Sequence, residues 1–222
     1  MKLSQQTLAI LKNFSQINAN LMVRKGNQLK TMANATNIFA SADIEETFDQ
    51  DFGIYDLNEF LSAYSLLDDP DLTFDSSAVV LSSGKSKITY RFADESVLAF
   101  PTKNVNMPPV EFTLDITREI LGSISKAASA LGHAICSVTN EGKNIVLNVR
   151  DPKNPTANTF STVVAEWTGS ADFDLQIPIA NLKVLPGDYT VSFCAKAISK
   201  WEHNSLPINY FIALEQTSTF NK

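Results

Sequence analysis

The chain has 222 residues, 44% of them hydrophobic and 19% charged, with a net charge of −6. That length supports one large domain or two of about 100 residues, each burying its own core, and the acidic balance excludes a protein that wraps nucleic acid with a uniformly basic surface. No apolar run approaches the roughly 20 residues of a membrane span and no charged-then-apolar leader opens the chain, so a soluble intracellular protein with no membrane partner is expected.

Residues 4–18 set Thr7, Leu8, Leu11, Phe14 and Ile17 at helical spacing behind Ser4 as N-cap. Gln5, Gln6, Lys12, Asn13 and Gln16 form the other face of this helix. Alternating runs at 20–24 and 27–32, joined by Lys25-Gly26, predict a hairpin, and runs at 38–44 and 48–55 predict two more strands. Asp56 and Glu59 make a capping-box pair ahead of a helix that ends at Asp68-Asp69-Pro70-Asp71. Three strands fit into 72–91, and Pro101, Pro108 and Pro109 mark 100–109 as an extended linker.

Beyond the linker the order repeats. Residues 115–131 read as a helix with Ile116, Ile120, Leu121, Ile124, Ala128 and Leu131 on one face. Strand runs at 134–139 and 144–149 flank an Asn140-Glu141-Gly142-Lys143 turn, and strands at 159–167 and 173–177 lead to a short helix over 179–185. A Pro186-Gly187-Asp188 turn and final strands over 189–197 and 208–215 complete the half. DFGIYDLNEFL at 51–61 and DFDLQIPIANL at 172–182 match in character and place. The predicted architecture is α+β, two similar units with helices on one face of antiparallel sheets: residues 1–99, a linker at 100–109, and residues 110–222.

Charge is segregated along the chain. Residues 1–42 hold no acid but Lys2, Lys12, Arg24, Lys25 and Lys30, whereas residues 43–84 hold eleven carboxylates and no base. One positive and one negative face follow. The polar helix faces, with Lys12 on the first and Arg118, Glu119 and Lys126 on the second, are mildly basic and rich in small or amide side chains, and a plain solvated helix surface is the competing reading for each. No helix-turn-helix, zinc finger or aromatic RNA-binding signature is present, so base readout is not expected.

Catalytic chemistry finds little support. Cys136 and Cys194 lie in apolar runs without zinc spacing and read as buried reduced thiols. His133 and His203 have no clustered cysteine or carboxylate, and a Cys194–His203 nucleophile pair rests on spacing alone. The Asp68, Asp69, Asp71, Asp75 cluster lacks the glycine and terminal glutamate of a calcium loop. No glycine-rich phosphate loop occurs. No enzyme, metal or cofactor is expected, and Asn34-Ala35-Thr36 is a glycosylation sequence on paper only.

MKLSQQTLAILKNFSQIN at 1–18, IYDLNEFL at 54–61, Ser65-Leu66 and the PGDY and NYFIALE segments closely resemble the sliding clamps of T-even-type bacteriophages. The resemblance runs almost end to end, strongest over the first 67 residues and thinner between 76 and 135. It implies a DNA-clamp fold and a homotrimeric six-domain ring that encircles duplex DNA in the cytoplasm of an infected bacterial host and tethers the replicative DNA polymerase. An ATP-driven clamp loader and, in related phages, late-transcription proteins with RNA polymerase are further implied partners. Lys12, Arg118 and Lys126, with Lys2 and Lys183 as secondary candidates, would face the hole and meet phosphate, and subunits would join through edge strands at 87–92 and 161–167, where Tyr90, Phe92, Val164 and Trp167 are either interface contacts or parts of each domain's own core. A hydrophobic pocket for partner peptides near the linker would draw on Phe100, Pro101, Pro207 and Ile212. The alternative is a β-rich structural protein of a phage tail or capsid.

Overall fold

The computed structural model describes residues 1–195 and 198–221. The chain divides into two compact units, Met1–Asn104 and Val105–Lys222.

In the first unit, the Ser4 side chain accepts from the Thr7 N–H and starts α1 (Gln5–Ile17). Strands β1 (Leu21–Val23), β2 (Gly26–Met32), β3 (Ile38–Phe48) and β4 (Phe52–Ile54) follow, then α2 (Leu57–Ser65) and strands β5 (Asp71–Phe74), β6 (Ala78–Ser83) and β7 (Ser86–Arg91). From Ala42 to Phe48, β3 alternates buried and exposed positions, the period of a strand with one face on a core. α1 packs on β2, β3 and α2, so Ile10, Leu11, Phe14, Ile17, Leu57 and Phe60 are all buried. Glu46 is buried too, because it accepts from the Ser4 N–H and the Thr7 hydroxyl at the positive end of α1.

The second unit runs β8 (Phe112–Ile116), α3 (Arg118–Leu131), β9 (Ile135–Glu141), β10 (Asn144–Arg150), β11 (Phe160–Glu166) and β12 (Asp172–Pro178). A 3-10 turn at Ile179–Asn181 leads to β13 (Tyr189–Cys194), β14 (Ile198–His203), β15 (Ile208–Ala213) and β16 (Thr219–Asn221). One antiparallel sheet has the order β11-β10-β9-β12-β16; in another, β8, β13, β14 and β15 are neighbours in turn. α3 packs on β9 and β10. Each unit thus contains a helix, four strands, a helix or helical turn, and further antiparallel strands, three in the first unit and four in the second, which also has β8 ahead of its helix.

Several local expectations are corrected. Among the described residues β1 pairs with β4 and β2 with β3, so the chain does not fold back as a hairpin at Lys25-Gly26. Asp51 takes the Lys25 N–H at 2.6 Å, and Gly26, at φ 120°, begins a bulged ladder instead. Asn13, placed on the polar face of α1, is buried, and Ile10 joins the core. Asp115 and Ile116 belong to β8, where Leu114 and Ile116 are buried and their neighbours exposed at period two; Thr117 then caps α3. The helix expected over 179–185 is only a three-residue turn without a side-chain cap. The strand expected over 189–197 ends at Cys194, and position 197 lies outside the described residues. The β9–β10 hairpin forms as read, with Gly142 at φ 62°.

Candidate functional site

Three surfaces carry the residues singled out above. On α1 the exposed positions Gln5, Ala9, Lys12 and Gln16 recur at spacings of four and three and so share one stripe. On α3, Arg118, Ser125 and Ser129 are exposed along one row and Glu119, Ser123, Lys126 and Ala130 along the next. Only Ile124 and Ala128 of this helix are fully buried, and Ile120, Leu121 and Leu131 are half-buried. Lys12, Arg118 and Lys126 therefore all stand on solvent-facing helix surfaces. The α1 stripe carries one positive charge, and the α3 face, with Glu119 offsetting one of two cations, carries a net of one as well. Small hydroxyl and amide side chains around so few charges suit brief, sequence-independent contact with phosphate.

The two secondary cations differ. Lys2 forms an ion pair with Asp69, both side chains being half-exposed, and that hydrogen bond raises the ammonium above its ordinary pKa. Its charge is already offset locally. Lys183 is half-buried in the irregular segment after the 3-10 turn.

β7 and β11 each form the outer strand of their sheet. β7 exposes Lys87, Thr89 and Arg91, and β11 exposes Ser161, Val163 and Glu166. Val163, 59% exposed, is the large apolar residue that strand 161–167 offers to solvent. The sequence points to Val164 instead; the β10–β11 register slips between Ile145 and Val146, leaving Val164 as the extra residue of a bulge, and a strand's period alone does not carry that slip.

Three other interface candidates are engaged within their own units. Phe92 stacks on Phe52 at 4.9 Å in a cluster with Phe48 and Phe74. Trp167 donates through Nε1 to the Ala171 carbonyl at 3.1 Å and meets the edges of Phe112 and Phe173. Tyr90 donates to the Asp56 carbonyl at 3.0 Å and packs edge-on against Phe60. Burial, then the nearby Glu59 carboxylate, pushes its phenol up to about 12.

In the first unit, Phe100 and Pro101 border a cleft of about 360 Å³ with Met22, Arg24, Lys25 and Lys30. The four residues expected to share one pocket are unlike in exposure: Pro207 is exposed, whereas Ile212 is fully buried in β15 and offers no side-chain surface to a docking peptide. An apolar residue near a chain terminus reads the same in sequence whether it faces core or solvent. The three cations of the cleft were missed as a group, although all lie in the acid-free block 1–42.

Cys136 and Cys194 are buried and unbridged, and burial pushes the Cys136 thiol up to about 12. His133 meets the Asn158 carbonyl through Nε2 at 2.6 Å, and His203 Nδ1 accepts from the Ser205 N–H at 3.1 Å. Among the described residues no three metal-ligating side chains cluster, and no helix is long and apolar enough to cross a membrane.

Residues 2–100 match the family profile for DNA polymerase processivity factors, and residues 113–216 match that for the C-terminal part of the gp45 sliding clamp. The chain is 34% identical to the sliding clamp of Vibrio phage KVP40, covering 97% of this chain and 99% of that protein. It is 32% identical to the sliding clamp of Escherichia phage RB69, over 99% of both. A solved structure of A. fulgidus PCNA bound to the C-terminal region of FEN-1 superposes with a TM-score of 0.70 at 11% identity, over 94% of each chain. That last likeness is one of fold.

Proposed function

The chain belongs to the sliding-clamp family of DNA polymerase processivity factors, and we propose that three copies close into a ring around duplex DNA and tether the replicative polymerase. The observation that carries this reading is the repeated unit whose helices present acid-poor, weakly cationic faces while the rest of the chain is acidic. A ring of such units attracts phosphate inside and repels it outside, and topology rather than tight contact retains it on DNA. The outer strands β7 and β11, each paired on one side among the described residues, supply the edges that head-to-tail closure would cover. Lys12, Arg118 and Lys126 are the proposed phosphate contacts, with Lys2 and Lys183 at the margin.

By the same reading a clamp loader opens and closes the ring with ATP, partner peptides dock beside Phe100 and Pro101, late-transcription proteins and RNA polymerase are further partners, and the protein works in the cytoplasm of the infected host without catalysing a reaction. The test is topological. After loading onto nicked circular duplex, the protein should stay bound through gel filtration in salt that strips ordinary phosphate contacts, and it should run off once the circle is linearised. Equal loss from circular and linear DNA, or a species other than a trimer by light scattering, refutes encirclement.

A further inference from the structure

The two long helices satisfy their N-termini differently. α1 has no acid in its first turn; its positive end is met from inside the unit by the buried Glu46, which accepts from the Ser4 N–H and the Thr7 hydroxyl. α3 carries Glu119 in its first turn, yet other groups take its leading N–H donors. The Arg118 N–H donates to Asp188 Oδ1 at 2.8 Å, and the Ile120 N–H donates to the Thr117 hydroxyl at 3.3 Å.

The Glu119 carboxylate is thus left over. It is exposed, and among the described residues it has neither a hydrogen bond nor a cation within ion-pair distance. It follows Arg118 directly and shares a row with Ser123 and Lys126, the latter about 10 Å further along the helix axis. The exposed stripe of α1, with Gln5, Ala9, Lys12 and Gln16, holds no acid. A surface that only gathers phosphate gains nothing from a free carboxylate beside its cations. A surface that must release each phosphate as it moves does gain, because every uncompensated cation adds a contact to be broken.

We propose that Glu119 limits the grip of α3 on DNA: its charge holds that face at a net of one positive charge, so phosphate contacts stay brief and the ring slides. This deepens the proposed function and rests on its placement of α3 toward DNA. A first-turn carboxylate also suits the helix dipole, a stability effect that a melting temperature reads and a sliding rate does not.

Glu119→Gln removes the charge at constant size, and Glu119→Asp keeps it. Single-molecule tracking of the loaded trimer on stretched duplex, with the fluorophore on Lys143→Cys in the exposed β9–β10 turn, reads the diffusion constant. At about 50 mM salt Glu119→Gln should slide roughly five- to tenfold more slowly, because a ring of three copies gains three positive charges, each able to make one weak exposed contact. The gap should close near 0.5 M salt, where the Debye length is roughly 4 Å, and Glu119→Asp should slide like wild type. Wild-type sliding by Glu119→Gln, while Arg118→Glu with Lys126→Glu alters it, overturns the role of Glu119 and leaves α3 facing DNA. No change from any of these variants overturns both. Equal slowing by Glu119→Asp, or a fall in melting temperature or trimer content at unchanged sliding, assigns the carboxylate to helix structure and overturns the proposal.

Discussion

Reversing Arg118 and Lys126 to Glu tests the DNA-facing assignment most directly. Both positions are exposed on α3, and the face they share with Glu119 carries a net of one positive charge per chain. The two substitutions shift that face by four units per chain, to a net of three negative charges, and by about twelve units around a ring of three copies. Folding should be almost untouched, since solvated substitutions lie within about 0.5 kcal/mol and a glutamate at position 118, the first residue of the helix, is favoured by the helix dipole. Attraction to phosphate should fail, and most steeply at low salt, where screening is weakest. The assay is primer extension on a singly primed circular template with the cognate polymerase and loader, at about 50 and 200 mM salt, with oligomeric state read by light scattering. Lys143→Glu serves as control, because that lysine is exposed in the β9–β10 turn away from the helix faces. Shortened products at low salt with an intact trimer, and a normal control, are expected. Product lengths equal to wild type at both salts would refute the placement of α3 toward DNA.

Val163→Glu puts a charge on the exposed edge strand β11; sedimentation should show loss of the trimer with a melting temperature near wild type, and an unchanged trimer would move the interface elsewhere. Asn18→Ala removes hydrogen bonds to the Met32 and Ala99 carbonyls at 2.8 and 2.9 Å and one from the Asn20 N–H at 2.9 Å. At about 1 kcal/mol each, denaturant unfolding should reveal a loss of roughly 3 kcal/mol, and a loss below about 0.5 kcal/mol would show that water replaces all three. Because burial raises the Cys136 thiol to about 12, a thiol reagent at pH 8 should leave it unmodified in the native protein and label it after denaturation; peptide mapping that finds native labelling at Cys136 would contradict its burial.

What was legible in the sequence was whatever repeats with a period or punctuates the chain. Ser4 before a helical apolar pattern located α1, Asp56 located α2, and Gly142 located a hairpin, because caps and turns are set by residues adjacent in sequence. The exposed placement of Lys12, Arg118 and Lys126 followed from the same helical period. Tertiary structure alone decided which strands pair and what each side chain meets. β1 turns to β4 because Asp51, 26 residues on, captures the Lys25 N–H, and a one-residue slip in β11 exchanges Val164 for Val163 at the exposed edge. Lys2 loses its place among the free cations to Asp69, 67 residues away. Phe100 reaches the Arg24–Lys30 cleft from a backbone that Asn18 and Asn20 hold at Ala99, about 80 residues on. Each of these rests on a long-range contact between side chain and backbone or between strands, and neither period nor local propensity encodes the partner.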